Sequence, residues 1–156
     1  MKKIAQELKN IVDEYTLKLL AISEHEFEIK INPVKWSKKE VLGHLIDSAQ
    51  NNLRRFISGQ YENQPHILYE QNFWVSSNNY QQVRKEDIIE LWRLMNNQIC
   101  QVLISMEKEN YSKQCNTSRT QEPDLHSIEW LATDYLKHLK HHVNQIIEGS
   151  FDVVYR

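Results

Sequence analysis

Three of the seven histidines, His138, His141 and His142, fall within one short run, DYLKHLKHHVNQII. Imidazole is the commonest side-chain ligand for transition metals. On an α-helix His138 and His142 stand one turn apart and present two ring nitrogens on the same face, while His141 points elsewhere. Two ligands do not make a site, so a third must come from another element, and the candidate is His44 in EVLGHLIDSAQ. At about 100° of rotation per residue, Leu42, Leu45, Ile46, Ala49, Leu53 and Phe56 define the buried face of its helix. His44 lies off that face, on a polar flank with Ser37, Ser48 and Arg55. The same rotation puts His138 and His142 on the shoulder of their own helix's apolar face, beside Asp134 and Gln145. Imidazoles on two such margins can meet across an interhelical cleft, where an ion stays within reach of solvent and substrate.

The elements that must position these residues are helical. Only three glycines and three prolines interrupt the chain, and strand-like alternation is hard to find. Ile4, Leu8, Ile11, Val12, Tyr15, Leu19 and Leu20 recur at helical spacing and predict a first helix over residues 3–22. Ser37 followed by Glu40 is a capping box that opens a second helix running toward Gly59, with Trp36 placed to staple its entry. Ile88, Leu91, Trp92, Met95, Ile99, Val102, Leu103 and Met106 predict a third over 85–108. Ser127 caps a fourth, whose apolar face is Ile128, Leu131, Tyr135, Leu139, Val143 and Ile146 and which Gly149 ends at the C′ position. Residues 60–83 form a polar connection dotted with aromatics, longer than a helical hairpin needs. A second polar stretch covers 109–126. The expected fold is an all-α four-helix bundle with a long crossover connection between helices two and three.

Length and charge bound the function. A chain of 156 residues suits one domain, 1–156, able to bury a core without staples. With 19 basic against 21 acidic residues and a formal charge of −2, it lacks the electrostatic footprint of a nucleic-acid binder. No segment has the apolar run of a signal peptide or membrane span. Cys100 and Cys115, without CxxC spacing, fit reduced thiols in the cytoplasm.

WSKKEVLGHLIDSAQNNLRRF, the later EWLATDYLKHLKHHVNQI, and YEQNFWVSSNNY ahead of the third helix together resemble the DinB-like superfamily, a likeness that spans nearly the whole chain. The resemblance implies a bundle of unusual up-down-down-up order and a divalent ion, zinc or nickel foremost, held by one histidine of the second helix and two of the fourth. By motif these are His44, His138 and His142. Three neutral imidazoles leave an ion such as Zn²⁺ with a free fourth position, the pattern of a catalytic site, which water or a substrate thiol could enter. Characterised members resemble this picture as transferases using low-molecular-weight thiols such as bacillithiol or mycothiol, and others as mycothiol-dependent isomerases. The expected activity is therefore a metal-dependent S-transferase with a low-molecular-weight thiol cosubstrate, acting on small electrophiles in stress response or detoxification. A homodimer is also expected.

Around the site, Asp134 and Gln145 are candidates to orient an imidazole. Trp74, Tyr80 and Arg55 are candidates to line a substrate cleft, although packing is the favoured reading for aromatics in a long connection and a solvated helix face the ordinary one for an arginine. The competing expectation is a metal-binding, stress-associated bundle without turnover, acting through a partner or by dimerising.

Overall fold

The structure is a computed structural model that describes residues 1–155. Four long helices carry it: α1 (Lys2–Ala21), α3 (Lys38–Ser58), α5 (Lys85–Ser105) and α6 (Ile128–Ile146), with short helices α2 (Glu24–Glu28) and α4 (Gln71–Asn78) between them. The capping box forms as expected: the Glu40 amide donates to Ser37 Oγ at 3.1 Å and the Ser37 amide to Glu40 Oε2 at 2.8 Å. Ser127 likewise caps α6, accepting from the Trp130 amide at 3.1 Å.

Contacts along the helices fix their directions. Cys100 Sγ donates to the Ala5 carbonyl while Lys85 reaches the carbonyls of Leu20 and Ile22, so α5 runs antiparallel to α1. His44 faces His138, and Gly59, just past the end of α3, approaches Ile128, so α3 and α6 are antiparallel too. Lys140 pairs with Glu7, and Tyr15 meets the Ser150 carbonyl beyond the end of α6, which makes α1 and α6 parallel. The order is therefore up-down-down-up. It leaves the packed neighbours α3 and α5 parallel, and parallel neighbours can be joined only by a chain that travels back the length of the bundle. That is why residues 59–84 form a long crossover.

The crossover is more structured than its polarity suggests. It holds α4 and a 3₁₀ turn, Tyr80–Gln82, joined through Asn79 in the left-handed region at φ 48°, a conformation asparagine tolerates. Within α4 only Val75 is buried, which leaves no apolar period to read. The stretch 109–126 also departs from a plain loop. Lys108–Asn110 forms a 3₁₀ turn, and β1 (Gln114–Asn116) pairs antiparallel with β2 (Leu125–Ser127). The third helix stops at Ser105 and the fourth at Ile146, so Gly149, at φ +76°, lies beyond the C′ position. Leu20 and Leu91, expected in the apolar faces, are 41 % and 42 % exposed.

Helix α3 is the centre of the bundle. It packs on α5 and α6 and is also covered by α2, α4 and the Tyr80 turn. Residues 41 to 49 are buried without a break, polar and apolar alike. The polar flank expected around His44 is thus an interior face. Gly43 shows how closely α3 is covered: a Cβ there would stand 2.1 Å from the Tyr80 ring. Tyr80 OH in turn donates to Asp47 Oδ1 at 2.6 Å, where Asn78 Nδ2 also donates at 2.9 Å. A second tie is the buried Lys39, whose ammonium reaches Glu28 at 2.7 Å, Glu24 at 3.3 Å and the Gln81 carbonyl at 3.3 Å. No helix among the described residues is long and apolar enough to cross a membrane.

Gly43→Ala should destabilise the protein by about 1–3 kcal/mol, the usual range for overpacking. Tyr80→Phe should cost a similar amount, about 1–3 kcal/mol, by leaving a buried carboxylate short of a donor. Urea unfolding monitored by circular dichroism checks both; wild-type midpoints would refute the tie between crossover and α3.

Candidate metal centre

The antiparallel contact between α3 and α6 brings three imidazoles to one point. One nitrogen from each of His44, His138 and His142 lies within 4.8 Å of the other two. His44 Nε2 and His138 Nε2 are 3.1 Å apart. Tetrahedral ligands at about 2.0–2.1 Å from zinc would stand about 3.3 Å apart, close to the spacing of this pair, while the third ring lies within 4.8 Å.

The far side of each ring decides which nitrogen is available. His142 Nδ1 faces Gln145 Oε1 at 2.9 Å, and an amide oxygen only accepts, so Nδ1 carries the proton and Nε2 a lone pair. His138 Nδ1 lies 3.4 Å from Ser48 Oγ, which accepts from Asn52 Nδ2 at 3.3 Å and keeps a second lone pair for the ring. His44 Nδ1 is buried with no partner. Holding the outer N–H against an oxygen is the usual way a metal-ligating histidine is oriented.

All three rings are held neutral. Burial pushes His44 down to about 3, with the neighbouring His142 as a second cause. Burial also takes His138 well below the ordinary histidine value, and its histidine neighbours add to this. His142 is lowered by burial too, against an opposing pull from Gln145. A metal ligand must be deprotonated. Here burial alone meets that condition at neutral pH.

Aromatic rings wall the cluster. Trp36 packs on His44 with centroids 5.0 Å apart, Tyr69 stacks at 6.5 Å, and Tyr155 approaches the edge of His138 at 5.3 Å. Of the residues singled out from sequence, His44, His138, His142 and Gln145 converge. Asp134 does not meet an imidazole; its Oδ2 accepts from Tyr155 OH at 3.1 Å, one step further out. Trp74 lies behind Tyr69, 5.5 Å away, and Tyr80 is buried against Asp47 under α3. Arg55 is committed to the Ile67 carbonyl at 2.8 Å and to Asn52 Oδ1 at 3.3 Å. His141 is nearer than its position on α6 suggests, since Gln145 Nε2 reaches its Nε2 at 3.1 Å.

Sequence reasoning left out Trp36, Tyr69 and Tyr155 as walls and Ser48 as an acceptor. Ser48 had a signal, one turn from His44 on the same face. Tyr155 had none, because it follows the last helix. Its segment is pinned there by Asn144, which donates to the Phe151 carbonyl and accepts from the Phe151 amide, both at 2.7 Å.

A family model described as the DinB superfamily matches residues 11–146. No curated protein matches. Among solved structures the chain is similar to YfiT from Bacillus subtilis, described as a probable metal-dependent hydrolase with an unusual four-helix bundle topology. That likeness has a TM-score of 0.83 at 19 % identity and covers 94 % of this chain and 83 % of YfiT. The chain is also similar to a histidine-to-alanine mutant of a mycothiol-dependent maleylpyruvate isomerase, with a TM-score of 0.73 at 9 % identity, covering 99 % of this chain and 62 % of the isomerase. At such identities these likenesses concern the fold.

The depressed imidazoles predict a pH dependence for metal-free protein. The unfolded chain takes up protons near the ordinary histidine value, 6.5, whereas folded His44 does so only near 3, so stability is lost as pH falls below 6.5. His44 alone contributes on the order of 1–2 kcal/mol between pH 6.5 and 5, and the lowered His138 and His142 act in the same direction. Asp47, raised by burial to about 6 from 3.8, works the other way between those two values. Urea melts at pH 7 and pH 5 should show a drop that shrinks in His44→Leu; an equal drop in both proteins would contradict it.

Proposed function

The chain belongs to the DinB superfamily, and we propose that within it this protein is a divalent-metal enzyme acting on small molecules through His44, His138 and His142. The observation that carries this is the set of three neutral imidazoles turned to one point, two of them with an oxygen behind the outer nitrogen. Zinc or nickel suits the donor set best, though imidazoles alone do not choose between neighbouring divalent metals. An ion held there would supply a Lewis acid with a free position, lowering the pKa of a water or thiol that enters it.

The chain's own residues do the rest. Ser48 and Gln145 hold the rings in register. Trp36, Tyr69 and Tyr155 keep bulk water from the imidazoles and shape the approach of a substrate. No carboxylate among the described residues joins the cluster: Asp134 is occupied by Tyr155, and Asp47 by Tyr80 and Asn78. A water nucleophile would lack a base to steer it and an acid to protonate its leaving group. A thiol needs only to lose its own proton. This favours an S-transferase that uses a low-molecular-weight thiol against a small electrophile, in stress response or detoxification. Hydrolysis is the second possibility, favoured by the likeness to YfiT, and a bundle that binds metal without turnover is the third.

The protein's place would be the cytoplasm, where its two unpaired cysteines stay reduced. It would work as a homodimer, for which the exposed Leu17, Leu20, Leu91 and Leu94 of α1 and α5 offer an apolar face.

Purified protein should carry one divalent ion per chain by elemental mass spectrometry, and His44→Ala and His142→Ala should carry none. Ser48→Ala and Gln145→Leu should weaken the ion by about 10–100-fold in chelator competition. Conjugation of a model electrophile with bacillithiol, glutathione or cysteine should depend on the ion. Metal-dependent ester or amide hydrolysis without any thiol reaction would move the assignment to the hydrolase, and no turnover at all to the non-enzymatic bundle. Sedimentation equilibrium of the same preparation should give a dimer; a monomer would remove that part.

A further inference from the structure

A cavity of about 1090 Å³ lies beside the histidine cluster and is lined by two side chains that touch it. Trp36 lines the cavity and packs on His44; Gln145 lines it and hydrogen-bonds His142 and His141. Whatever fills this space rests one side chain away from the imidazoles.

Its outer rim is the segment between α2 and α3. Ile29, Ile31 and Val34 all line the cavity, and they are 46 %, 94 % and 89 % exposed. A single exposed apolar side chain needs no explanation, but a cluster rimming a concave space is where ligands bind. The segment is held in that shape. Asn32 Oδ1 accepts from the Val34 amide and the Asn32 carbonyl from the Lys35 amide, each at 3.0 Å, and the buried Lys39 ties α2 to α3 on the other side.

Charge selects the ligand further. Three lysines crowd this segment. Lys30 is paired with Glu40 at 2.8 Å and Lys38 with Glu26. Lys35 has no acidic partner among the described residues, and Glu26, already paired, is the only acid in the lining. The remaining wall is neutral amide, Gln71 and Asn72 of α4 with Asn32. The cavity thus offers an apolar rim, one free cation, and a floor of indole and amide against the imidazoles.

We infer that this cavity is the substrate subsite of the proposed enzyme and takes a small monocarboxylate with an alkyl or aryl body, its carboxylate on Lys35 and its apolar body along Ile29, Ile31 and Val34. The inference rests on the metal-enzyme assignment for its purpose. Its binding chemistry is independent of the ion, because none of the cavity's lining residues is an imidazole of the cluster.

The test is calorimetric titration of the full-length, metal-loaded protein with octanoate, octylammonium and octanol, all below micellar concentrations. Octanoate should bind about tenfold more tightly than octylammonium, the worth of one hydrogen bond to a charged group. Lys35→Gln should abolish that preference while leaving octanol binding unchanged, and Ile31→Ser with Val34→Ser should weaken all three ligands. Chelated His142→Ala should still bind octanoate. Metal in the wild type without octanoate binding would overturn this inference and leave the metal assignment standing; octanoate binding without metal would do the reverse. Equal binding of octanoate and octylammonium, or an unaffected Lys35→Gln, would also overturn it. So would sedimentation with phosphatidylglycerol vesicles in the absence of octanoate binding, which would make the apolar rim a membrane-surface contact.

Discussion

Two packed helices that draw three imidazoles out of water at their point of contact, His44 fully and His138 and His142 in part, must replace the hydration those rings lose. Each ring nitrogen is a strong polar group, and an unpartnered one in the interior costs about 1–3 kcal/mol. Ser48 and Gln145 offer oxygens to two of the outer nitrogens. Of the inner nitrogens, His44 Nε2 and His138 Nε2 face each other at 3.1 Å. A hydrogen bond can join two of them. Only a cation can satisfy three lone pairs at once, and burial has already removed the protons that would compete with it. The antiparallel pairing of α3 with α6 is the constraint that creates this situation, and the remainder of the fold holds that pairing in place.

Seen from there, the unusual helix order has a purpose. If α3 and α5 run in parallel, the chain must cross back between them, and that crossover covers the outer side of α3. Gly43, next to His44, has no side chain because Tyr80 lies against it, and Asp47, one turn along, takes two donors from the same segment. The crossover also delivers Tyr69 to His44. On the opposite side Asn144 turns the chain end back so that Tyr155 meets His138. The helices thus supply the imidazoles and the connections enclose them. Trp36 and Gln145 mark the side on which the enclosure opens to a cavity.

What sequence could reveal follows from which interactions are periodic. The four long helices, the Ser37–Glu40 capping box and the Ser127 cap were legible because apolar spacing and capping are local. His44, His138 and His142 were legible as a set from their spacing, and Gln145, expected beside them, lies against His142. The burial of His44 was not, because helical rotation assumes one wet face, and α3 is covered by α2, α4, α5, α6 and the Tyr80 turn. Asp134 was expected at an imidazole from its place on α6, but Tyr155, a residue with no periodic signal, had already engaged it. Helix α4 and the β1–β2 hairpin escaped notice because both are short and mostly exposed. Tyr80 and Arg55, candidates for a cleft weighed against packing and a solvated helix face, fasten the crossover to α3.

The central claim is that the three imidazoles share one divalent ion. X-ray absorption at the metal edge of the protein as purified tests it most directly, because the near shell reports both ligand type and number. Three imidazole nitrogens are expected, at about 2.0–2.1 Å if the metal is zinc, with one further light atom, or one sulfur where a thiol has entered, and the multiple-scattering signature of histidine rings. A shell with fewer than three imidazole nitrogens, or one that keeps three in His44→Ala, would contradict it.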